Sequence, residues 1–104
     1  MTEEINVDFK ENKGYKLLVK ALVALDDEKE CEALLEDLIT RKELEDIAQR
    51  LLVAKMLSDN VVYNKIVEET GASTATISRV NRCYQYGAGG YSKILEKLGE
   101  GAGK

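Results

Sequence analysis

The sequence predicts an all-α fold of six helices, on three observations. Apolar residues recur at helical spacing in segment after segment, and no stretch alternates apolar with polar residues as a half-buried strand would. Proline is absent, and glycine clusters toward the C-terminal end. The composition, 44% hydrophobic and 33% charged, is a globular balance rich in helix formers, and 104 residues allow one domain with a modest core.

Residues 1–13 read as a flexible arm with little apolar content, ahead of a helical domain over 14–98. From Tyr15 to Leu25, one face carries Leu17, Leu18, Ala21, Leu22 and Leu25, and the helix is apolar over most of its circumference. Asp26, Asp27 and Glu28 supply an N-cap and an acidic first turn for a second helix over 28–39. Its stripe is Cys31, Leu34, Leu35, Leu38 and Ile39. Thr40 and Glu43 form a T-x-x-E capping box that opens a third helix. The predicted buried side of that helix is Leu44, Ile47, Ala48, Leu51, Leu52, the stem of Lys55, and Met56 or Leu57.

After a break at 59–62, a short helix runs from Tyr63 to Thr70, and Gly71 ends it in the left-handed conformation that glycine adopts without strain. Ser73 is placed to cap the next helix, which runs to Tyr86. "GAGG" at 87–90 is a turn; no strand precedes it and the GxGxxG spacing is missing, so it is no phosphate loop. A last amphipathic helix presents Tyr91, Ile94, Leu95 and Leu98, and residues 99–104 read as a disordered tail. The early helices are apolar on wider arcs than one chain of this length covers. A homodimer sharing its core is the expected solution, with a monomeric bundle as the alternative.

No run of 18 apolar residues exists, so no membrane partner is expected. The polar, acidic N-terminus lacks the apolar centre of a signal peptide. Cys31 and Cys83 form no CxxC pair, and histidine is absent. That pattern argues against a disulfide framework, a metal site or a cofactor, and toward the reducing cytoplasm. It also removes the usual general base, so an enzyme is not expected. The net charge of −4 argues against nucleic acid until its distribution is considered. Residues 1–60 carry a net −6, whereas residues 61–93 carry a net +2.

The stretch "YNKIVEETGASTATISRVNRC" has the pattern of a helix-turn-helix. Ile66 and Val67 face inward from the first helix, Gly71 makes the turn, and Ile77 and Val80 pin the second helix across the first. The N-terminal end of that second helix must be slim to enter a major groove. Ser73, Thr74, Ala75 and Thr76 are small, Ser78 and Arg79 follow, and Arg82 continues the same side. Small hydroxyls reach phosphates and base edges, and the positive helix end favours phosphate. No Asp or Glu occurs from 70 to 95. An ordinary αα-hairpin with a glycine turn and a serine cap gives the same spacing and remains the alternative.

"LITRKELEDIAQRL" and "IVEETGASTATISRVNRCYQYGAGGY" resemble the tryptophan repressor family, and more closely the YerC/YecD group of Trp-repressor-like proteins. The resemblance covers residues 34–98, and "GASTATISR" is its most specific part. It implies an intertwined all-α homodimer whose two heads meet a near-palindromic operator on double-stranded DNA, one helical turn apart; the Trp repressor is a standard example of such docking. The family's contacts fall on Tyr63, Asn64, Val67, Thr74, Ala75, Thr76 and Ser78, and the candidate DNA-binding set adds Lys65, Ser73, Arg79 and Arg82. Asn64 and Val67 are less basic than their counterparts in the tryptophan repressor itself. A possible effector pocket maps to Thr40, Arg50, Arg79, Val80 and Cys83. Val80 and Cys83 stand where the repressor has a glycine and a serine. The added bulk overfills the place of the indole ring, and a thiol is a poor partner for an amine, so tryptophan is not the expected effector. The expected function is that of a sequence-specific DNA-binding regulator, read as a repressor. A dimeric helical interaction module that has lost DNA binding is the alternative, favoured by the acidic first half.

Overall fold

The computed structural model describes residues 7–101, all of whose regular elements are helical. In order they are α1 (Val7–Lys10), α2 (Lys13–Val23), α3 (Glu28–Leu38), α4 (Arg41–Ser58), α5 (Tyr63–Thr70), α6 (Thr74–Tyr86) and α7 (Gly90–Gly101). Six of the seven are the predicted helices. The seventh, α1, lies in the expected arm: Phe9 stacks at a tilt on Tyr15 with centroids 5.1 Å apart, and Lys16 bridges to Glu11 at 3.0 Å. Helix α7 runs past Leu98 to Gly101. The arm's residues 1–6 and the tail's residues 102–104 lie outside the described residues.

The helix starts are set by local chemistry. The Asp27 carboxylate accepts from the Glu30 amide at 2.8 Å, and the Glu30 carboxylate accepts from the Asp26 amide at 2.7 Å. Thr40 and Glu43 exchange the reciprocal bonds of a capping box, at 3.0 and 3.2 Å. Asn12 caps α2 by accepting from the Tyr15 amide at 2.9 Å.

The chain divides into an N-terminal unit ending at Leu44 and a C-terminal unit beginning at Glu45. The C-terminal unit has its own core, in which Val53, Ala54, Ile66, Ala72, Ile77, Val80 and Leu95 are buried. Met56, Leu57, Val61, Val67, Tyr84 and Tyr91 pack around it. In the N-terminal unit, α2 and α3 bury no residue fully. Leu17 is 68% exposed and Val23 80%.

The predicted buried side of α4 is corrected here. Ile47, Ala48, Leu51 and Leu52 are exposed in the single chain, and the buried pair is Val53 and Ala54. Helix α4 is apolar on two sides. One of them, with Val53 and Ala54, joins the core cluster of Ile66, Ala72, Ile77, Val80 and Leu95, and the stripe that periodicity marks most clearly is exposed.

Candidate nucleic-acid interface

Helices α5 and α6 and the turn between them form a helix-turn-helix. Ile66 is fully buried and Val67 half-buried on α5, and Ile77 and Val80 are buried on α6, as their spacing predicts. Gly71 has φ +74°, the left-handed conformation that costs an L side chain strain, and its amide donates to the Val67 carbonyl at 2.9 Å. Thr70 fastens the turn. Its hydroxyl donates to the Ile66 carbonyl at 2.7 Å and accepts from the Ala72 amide at 3.1 Å. Its carbonyl accepts from the Gln49 side chain of α4 at 3.1 Å.

Ser73 is the N-cap of α6, accepting from the Thr76 amide at 3.1 Å and donating to the Thr76 hydroxyl at 3.1 Å. Both oxygens of Ser73's hydrogen-bonding pair are therefore engaged locally, and Ser73's part in any contact is to shape the helix start. Thr74, Ala75, Ser78, Arg79 and Arg82 are exposed, and Thr76 is half-buried. Among the described residues neither Arg79 nor Arg82 meets a carboxylate. The exposed face of α6 thus offers small hydroxyls at its N-terminal end and free guanidinium groups further along. On α5, Tyr63 and Asn64 are exposed beside a helix start that no side chain caps. Lys65 is bridged to Glu69 at 3.2 Å and Glu68 at 3.9 Å, which offsets part of its charge.

The residues mapped to an effector pocket sit differently. Val80 is 2% exposed and belongs to the core, so it lines no open surface in the single chain. The hydroxyl of Thr40 is committed to the capping box. Arg50 and Cys83 lie within electrostatic range of Tyr91. Burial raises the Tyr91 phenol above its ordinary 10.0, the Arg50 charge pulls it back in part, and Cys83 adds to the rise. Sequence reasoning overlooked Tyr91 beside this pair, and also Asn81, whose side-chain amide donates to the Tyr63 hydroxyl at 3.4 Å. Among the described residues no cluster of His, Cys, Asp or Glu could hold a metal ion, and no helix is long and apolar enough to cross a membrane.

Comparison with known proteins matches residues 13–99 to the Trp repressor protein family. The chain is 43% identical over 96 residues to the uncharacterized protein YerC of Bacillus subtilis, covering 92% of each chain. A crystal structure of a TrpR-like protein from Eubacterium eligens superposes with a TM-score of 0.83 at 42% identity, covering 88% of this chain and 95% of that one. A proposed Trp repressor from Staphylococcus aureus superposes with a TM-score of 0.84 at 37% identity, covering 94% and 96%. Matched along nearly all of its helical length in both sequence and fold, the chain belongs to the Trp repressor family, a family of helix-turn-helix regulators rather than enzymes.

Proposed function

We propose that the protein is a homodimeric, sequence-specific DNA-binding repressor that reads a near-palindromic operator and does not respond to tryptophan. The observation that carries this reading is the exposed face of α6. It joins the small residues Thr74, Ala75 and Ser78 to the unpaired Arg79 and Arg82, with no acidic residue from 70 to 95. Thr76, Tyr63 and Asn64 flank that face, Ser73 shapes its start, and Lys65 contributes a charge already shared with two glutamates. The open apolar faces of α2, α3 and α4 support a dimer in which two such heads are held at a fixed spacing. The burial of Val80 and the presence of Cys83 support a site that no longer takes an indole.

One observation favours a second reading. The net charge is −4, and residues 1–60 carry the whole excess of acid. A helical interaction module that has kept the fold and lost DNA reading fits that balance.

Selection from a random duplex library, at low and physiological salt and with and without L-tryptophan, separates the two. The expected result is a near-palindrome whose affinity falls steeply with salt and is unchanged by tryptophan. Folded protein that retains no duplex even at low salt would overturn DNA reading and turn the search to protein partners. Saturable micromolar binding of L-tryptophan in calorimetry would overturn the claim about the effector.

A further inference from the structure

Beside the C-terminal half of α6 lies an open groove of about 450 Å³, lined by Tyr63, Ser78, Asn81, Arg82, Gln85 and Tyr86. Its hydrogen bonds run in one direction. The Gln85 side-chain amide donates to the Asn81 carbonyl oxygen at 3.2 Å, and the Asn81 amide donates to the Tyr63 hydroxyl at 3.4 Å. The Tyr63 hydrogen has no acceptor among the described residues. A chain of donors thus ends in a donor, and each bond polarises the next. The Ser78 hydroxyl is equally unengaged, Arg82 meets no carboxylate, and Tyr86 is 81% exposed. No acidic residue lines the groove.

The geometry points to a seat for a backbone phosphate of duplex DNA, held by Arg82 and the Tyr63 hydroxyl with Asn81 and Gln85 as positioning residues. The inference rests on the DNA-reading function proposed above. A phosphodiester presents only acceptors and carries a negative charge, whereas base edges are uncharged and those of adenine and cytosine also present donors. This groove offers donors and a positive charge. Its place on the helix agrees: Ser78, Arg82 and Tyr86 follow one another at four-residue spacing on one face. From Thr74 to Arg82 the helix rises about 12 Å, roughly the width of the major groove. When the start of α6 enters the groove, Arg82 stands at its wall, where the sugar-phosphate chain runs. The seat fixes the height of the reading helix without reading sequence.

The test uses full-length protein and the duplex recovered by selection, with phosphate-ethylation interference and affinity measured against salt. Arg82→Gln is expected to lower the salt slope by about 1 per protomer. It should weaken specific and random duplexes by the same factor, about tenfold or more, leave the selected motif unchanged and erase one interference site per half-site. Tyr63→Phe, which deletes only the hydroxyl, should weaken the same interference site. A changed motif, or an unchanged slope and interference pattern in both variants, would overturn the phosphate seat while leaving DNA reading intact. Wild-type protein that binds no duplex would overturn the DNA-reading function, and the seat with it.

Discussion

The N-terminal unit and the helix-turn-helix solve the same physical problem in opposite ways. In α5 and α6 the apolar residues Ile66, Ile77 and Val80 are buried in one core, brought together across one glycine turn. In α2 and α3 the apolar stripes are just as regular, yet no residue on either helix is fully buried. Burying a leucine or valine side chain contributes about 1.5–3 kcal/mol, so the open stripes represent a large stabilisation that a lone chain does not realise. Amphipathic periodicity therefore means a closed core in one region and an open apolar face in the other, the face that the proposed dimer covers.

The sharpest way to break this comparison is to charge the open stripe. Leu22→Glu or Leu51→Glu is expected to abolish assembly, turning a dimer in sedimentation into a monomer or an unfolded chain. The wild-type melting temperature should rise with protein concentration, as a shared core requires. Wild-type protein that sediments as a stable monomer at micromolar concentration would end the dimer proposal. Next in size is Ile66→Ala, which empties the head's core at a cost of about 2–5 kcal/mol. Hydrogen exchange should show protection lost first over 63–86, with 13–38 following only at global unfolding.

The smallest effect sharpens the comparison at its edge. Tyr91 packs against the head's core with its phenol raised above 10.0 by burial. The neutral form is favoured in the folded state, so its contribution is complete below pH 10.0 and is lost as pH rises through the folded value. The wild type should therefore lose stability above that pH more steeply than Tyr91→Phe, as read from denaturant midpoints across alkaline pH.

What the sequence made legible follows the same division. Gly71, Ser73, Ile77 and Val80 do in the structure what their spacing predicts, because a turn, a cap and a crossing helix are decided by near neighbours. The capping box of Thr40 and Glu43 was readable for the same reason. The stripe on α4 was readable as apolar but not as uncovered, since periodicity marks a face and is silent about its partner. Val53 and Ala54 escaped because the cluster they join is made of residues from Ile66 onward, beyond the reach of a pattern on α4 alone. The Tyr63–Asn81 bond joins residues eighteen positions apart and left no sequence signal. Helix α1 escaped because its stabilising contact, Phe9 on Tyr15, spans a break between helices.

Thr70 offers a last consequence. Three hydrogen bonds converge on this residue: its hydroxyl bridges Ile66 to Ala72, and its carbonyl is tied to Gln49. A turn held this way has already given up its conformational freedom on folding. Any ligand that meets the start of α6 finds the loop ordered and bears no entropic cost for ordering it. The tie to Gln49 also fastens α4 directly to the turn that precedes α6.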